Sequence, residues 1–188
     1  MDNNSLSAPS GAEPTGDDLT VWFEPGAIAS DLELVFVSSA IGFRVWFYEE
    51  FHRMLRNPVF GSEWGYRRWV PAKCGCFERP CRCGISAFIQ PEDAIEYGER
   101  IKGGGARVLG LVQGIRDLSR EVFRNGNGEE TVGWKSQQQR ILALVTQEDG
   151  RRKWAKPDVL ELVAQAWSVP ILSRGGVEIF LDRRFGGT

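Results

Sequence analysis

Cys74, Cys76, Cys81 and Cys83 are the only cysteines of the chain. They fall in one run, Trp69-Val-Pro-Ala-Lys-Cys-Gly-Cys-Phe-Glu-Arg-Pro-Cys-Arg-Cys-Gly84. Two C-x-C pairs lie four residues apart, with Pro80 and Gly84 supplying the turn chemistry that folds one pair back on the other. Four thiolates so placed can surround one Zn²⁺ tetrahedrally, with Zn–S near ~2.3 Å. The first reading is therefore a structural zinc site. Its spacing is tighter than the usual C-x₂₋₄-C knuckle, and reduced buried thiols or an iron–sulfur cluster of unusual spacing are the alternatives. A site filled by four protein ligands keeps no open coordination position, which argues against metal catalysis.

The rest of the chain bounds the fold around that loop. With 188 residues, 42% of them hydrophobic, it has material for one sizeable core, and its net charge of −2 gives no global field for nucleic acid or an anionic membrane. The opening Met-Asp-Asn-Asn-Ser lacks the basic and apolar regions of a signal peptide, and no apolar run reaches membrane-spanning length. The expectation is a cytoplasmic protein without a membrane partner, a compartment where clustered cysteines favour metal over disulfide.

Residues 1–18 hold one large apolar side chain, Leu6, among Ser, Pro, Gly, Ala and Asp, and read as a disordered leader. Residues 19–188 read as a single α+β domain, strand-rich, with two helices and the zinc-binding four-cysteine loop. Strands are expected over Thr20–Phe23, Leu32–Val37, Gly42–Tyr48, in the run up to Val70, over Ile85–Ile89 and over Arg107–Ile115. Glu49–Leu55 reads as a short helical stretch carrying His52, the single histidine, which is expected to be structural and half-exposed. Pro91–Ile101 and Pro157–Trp167 are the helices, each with Pro at the first position, acid in the first turn and an apolar stripe. Asn125-Gly-Asn-Gly128 is hairpin-turn chemistry between Glu121–Arg124 and a long strand, Val132–Val145. On that strand Trp134, Ser136, Gln138 and Arg140 would share one face. Val177–Leu181 reads as a terminal strand.

At Gly42-Phe-Arg-Val-Trp46 the chain begins to resemble a family of small bacterial and phage proteins of uncharacterised function. The family's further features are matched by Trp69, Pro71, Ala72 and Cys74, by Pro80, Cys81, Cys83, Gly84, Ile85 and Ala87, and by Gly133-Trp134-Lys135. Ser168-Val-Pro170 is similar to the family's Gly-Val-Pro. The resemblance spans about residues 40–172. Many members carry a His between the first cysteine and the Cys-x-Cys pair, where this chain has Cys76, a thiolate-for-imidazole exchange compatible with zinc. The resemblance implies a fold and a metal, and no reaction.

No nucleophile–base pair, open metal site or cofactor loop can be assembled from the residues. Gly103-Gly-Gly-Ala lacks the Lys-Ser/Thr of a phosphate loop, and Glu49-Glu50 and Glu129-Glu130 read as solvated charge. The favoured function is a non-enzymatic, zinc-stabilised recognition domain whose partner is an unidentified protein or nucleic acid. One alternative is nucleic-acid binding through Arg67, Arg68, Trp69 and similar basic–aromatic runs. Another is a small-molecule enzyme with a pocket near Trp134, Ser136, Gln138 and Arg140.

Overall fold

The computed structural model describes residues 20–21, 39–58, 63–64, 69–72, 84–124, 129–147 and 153–185. The leader at 1–18, the expected strand at Leu32–Val37, the Asn125–Gly128 turn, and Arg67, Arg68 and all four cysteines lie outside these. Two long strands, β2 (Ser39–Glu49) and β7 (Ala106–Ile115), pair antiparallel along their full length, from Ser39↔Ile115 to Tyr48↔Ala106. Both faces of β2 are buried, so its apolar residues run nearly without alternation, as a central strand requires. On the far side of β7 lies β10 (Gln138–Val145), with a register shift between Ile141 and Ala143, and β11 (Ile171–Leu172) adds a parallel edge.

The other edge of β2 is shared. β1 (Thr20–Val21) pairs at Ser39–Ala40, β6 (Ile85–Phe88) bridges at Phe43, and β3 (Met54–Arg56) pairs at Phe47–Glu49. β3 continues to β4 (Glu63–Trp64), while β6 leads to β9 (Glu130–Ser136) and then β8 (Ser119–Arg124). With β5 (Val70–Pro71) on β10, these eleven strands form one largely antiparallel sheet.

Among the described residues three helices cover it. On one face Ala40, Trp46, Val108, Val112 and Leu144 meet Leu160 and Val163 of α2 (Pro157–Trp167). On the other, Ile41, Val45, Leu109 and Leu111 meet Ala94 and Ile95 of α1 (Pro91–Arg100) and Val177 and Leu181 of α3 (Gly176–Phe185). Among the described residues no helix is long and apolar enough to cross a membrane.

The α+β class stands, as do both expected helices and the hairpin arms, paired from Ser119↔Lys135 to Arg124↔Glu130. Three local expectations are corrected. Val177–Leu181 is a helix: Val177 and Leu181, one turn apart, face the core, while Ile179 is exposed, so the apparent alternation was the coincidence of a 3.6 period. The Gly176 N–H is taken by Ser173 Oγ at 3.2 Å, which helps start that helix. Glu49–Leu55 is a turn, with Arg53 at φ 51°, that folds β3 back on β2 at Glu49↔Met54. Val132–Val145 is two strands, because Gln137 leaves the ladder and gives its N–H to Arg116 O and its carbonyl to Ala72 N–H.

Arg107 fastens α1 to this sheet. It is 3% exposed, lies over the Phe47 ring at 5.6 Å, and donates from Nε to Gly98 O and from Nη2 to Ile101 O at 2.9 Å. A cation at the C-terminal carbonyls also complements the helix dipole. Arg107→Met keeps much of the packing and removes the donors. It is expected to cost about 2 kcal/mol in urea unfolding, since buried carbonyls would be left unpaired.

Candidate functional site: a cleft beside the first helix

Between α1 and the β8–β9 hairpin lies a cavity of about 580 Å³. Val122, Phe123, Phe88, Tyr97 and Ile101 form its apolar wall, and Asp93, Glu96, Arg100, Arg124 and Thr131 its polar part. Helical spacing explains the share from α1: residues 93, 96, 97 and 100 lie along one side of α1, while Ala94, Ile95 and Gly98 turn into the sheet. Arg100 is paired with Glu96, and Arg124 with Glu130. The Asp93 carboxyl is pushed above its ordinary range, first by burial and then by the neighbouring Glu96 and Glu92.

A second cavity, of about 230 Å³, shares Phe88, Tyr97 and Phe123 with the first. Phe88 stacks tilted on Tyr97 at 5.3 Å and on Phe123 at 4.8 Å, so these rings are a common wall. Arg44 lines this inner cavity. It is 8% exposed, stands on the β2 face between Gly42 and Trp46, lies over the Trp64 ring at 5.1 Å, and donates from Nη1 to Ser86 O. Burial pushes its pKa down to about 10, with the Tyr97 hydroxyl opposing the shift, so it is a cation at neutral pH. Burial raises the Tyr97 phenol, and Arg44 pulls it back.

The residues singled out from the sequence are placed differently. Trp134 is wholly buried and donates from Nε1 to Ile41 O at 3.1 Å, and Ser136, also buried, donates to Gln138 O at 2.9 Å. Both side chains lie against Gly114 of β7. Arg140 instead pairs across the ladder with Gln113, the next residue and hence the opposite face, and donates twice to Gln113 Oε1 at 2.9 and 2.6 Å. The four residues of Val132–Val145 therefore do not share a face; the break at Gln137 divides them. Arg140 and Trp69 do meet, with the guanidinium 4.7 Å over the ring. His52 is half-exposed, with Nδ1 3.2 Å from Glu49 Oε2.

Both ends of the cysteine segment converge on that break. Val70 and Pro71 pair with Gln139 and Gln138, and Ala72 N–H reaches Gln137 O at 2.7 Å. Ile85 pairs with Ser136, and the buried Gln139 donates from Nε2 to Ile85 O at 2.6 Å. Among the described residues no three His, Cys, Asp or Glu side chains cluster as a metal site. No family model, curated protein or solved structure matches the chain.

Proposed function

We propose that this protein is a non-enzymatic recognition domain, stapled by one Zn²⁺ on Cys74, Cys76, Cys81 and Cys83, that takes its partner in the cleft beside α1. The observation that carries the staple is the convergence of residues 70–72 and 84–85 on Ser136–Gln139. A segment whose two ends are pinned to one sheet position, and which holds every thiol of the chain, suits a closed tetrahedral site. The cleft supports recognition because it is concave and apolar with few polar groups, which are the usual features of a ligand site. The nucleic-acid reading draws less support: the cleft's two arginines, Arg100 and Arg124, are paired with Glu96 and Glu130, and the Trp69 ring is covered by Arg140.

Elemental analysis of the full chain purified without added metal is expected to find one zinc per chain. Cys81→Ser or Cys83→Ser should lower zinc content and the melting temperature together, by several degrees, since metal-binding free energy is folding free energy in such sites. Zinc far below one equivalent, with a melt unmoved by the serine changes, would sink the staple.

A further inference from the structure

Arg44 is a buried cation that no described carboxylate neutralises. Its Nη1 is spent on a backbone carbonyl, and its Nε is sealed from water with no hydrogen-bond partner among the described residues. Glu121, which accepts from Ser86 Oγ at 2.6 Å, is already paired with Lys135. A desolvated guanidinium without a counter-ion is unfavourable unless something compensates its charge. Its position suggests what does. β6 touches β2 at Phe43 and β3 touches it at Phe47, so the two strands part at Arg44, and the inner cavity lies where Asn57 and Pro58 face Ser86 and Phe88.

We propose that this cavity binds a small organic monocarboxylate, its carboxylate on the Arg44 guanidinium and its apolar body along Phe88 and Phe123 toward the outer cleft. A planar fork of donors matches a carboxylate, and an aromatic wall accepts an apolar or aromatic body. The charge balance sets the class. One arginine faces the ligand in the inner cavity, and the arginines of the outer cleft, Arg100 and Arg124, are already paired with Glu96 and Glu130, so the site offers one guanidinium to a single negative charge and none to the further charges of a phosphate ester or other polyanion. This proposal rests on the recognition reading and not on the zinc.

The test uses the full chain and 3-phenylpropionate, with neutral 3-phenylpropanol and inorganic phosphate as controls. Calorimetric titration is expected to show saturable binding of the carboxylate, and the Arg44 Nε–H nuclear magnetic resonance signal should move with it. The alcohol should bind at least about tenfold more weakly, and so should the carboxylate to Arg44→Lys, which keeps the charge but loses the fork. Absence of carboxylate binding, equal binding of acid and alcohol, equal competition by phosphate, or unchanged affinity in Arg44→Lys each overturns the proposal. Should Arg44→Lys fail to fold, the Nε–H signal of the unmodified protein decides alone. Zinc measured on the same sample separates the two readings: carboxylate binding without zinc removes the staple and keeps this site.

Discussion

Trp134→Ala is expected to lower stability by about 4 kcal/mol, the range for emptying a fully buried large aromatic site, or on the order of 10 °C in melting temperature for a chain of this size. The ring is entirely sealed, although β9 stands three strands away from β7 in the order of the sheet. It gets there because the sheet curls: the indole lies over Gly42 of β2 and Gly114 of β7, and its Nε1 donates to Ile41 O. Removing it empties the space between the two halves of the sheet and leaves Ile41 O without that donor. Urea unfolding followed by far-ultraviolet circular dichroism measures the change. A loss under about 1 kcal/mol would mean that the curl holds without the ring.

Gly114→Ala is the reciprocal experiment. A Cβ at this position would come within 2.2 Å of the Trp134 ring and 2.6 Å of Ser136 Oγ, closer than such atoms approach. Neither neighbour is the loose end of a flexible chain, so the strand or the indole must move, and the expected cost is about 3 kcal/mol, the upper part of the range for overpacking. The same methyl in a Trp134→Leu background should cost far less, because the smaller side chain vacates the space. The double-mutant cycle therefore predicts strong non-additivity between residues on different strands. Additive losses would place the strain elsewhere.

What the sequence showed followed from local chemistry. α1 and α2 announce themselves through Pro91 and Pro157, first-turn acids and stripes such as Leu160 and Val163, all read within one element. The β8–β9 pairing followed from the turn residues between its arms. What escaped depends on distant partners. Nothing in Ser136-Gln-Gln-Gln139 says that Gln137 bonds Arg116 and Ala72, so the break in the strand and the division of its polar face were illegible. α3 was misread because Val177, Ile179 and Leu181 satisfy a period of two as well as one helical turn. Arg44 did carry a signal: a charge at the centre of an apolar strand, alternating with Gly42 and Trp46. Its meaning required the cavity, which Phe88, Tyr97 and Phe123 build from three separate elements.

The shared edge of β2 also governs how the chain can assemble. The β8–β9 hairpin closes across a few residues, but β2 must wait for β7, since residue 39 meets 115 and residue 48 meets 106. β6 likewise reaches β2 across a long stretch, residue 88 meeting residue 43, whereas β3 folds back on β2 through the short turn at Glu49–Met54. Closing so long a loop before any contact repays it is the entropic hurdle that makes non-local sheets slow to fold. During that interval the apolar face of β2 lies uncovered, and the window for misassociation is set by the chain's connectivity as much as by its stability.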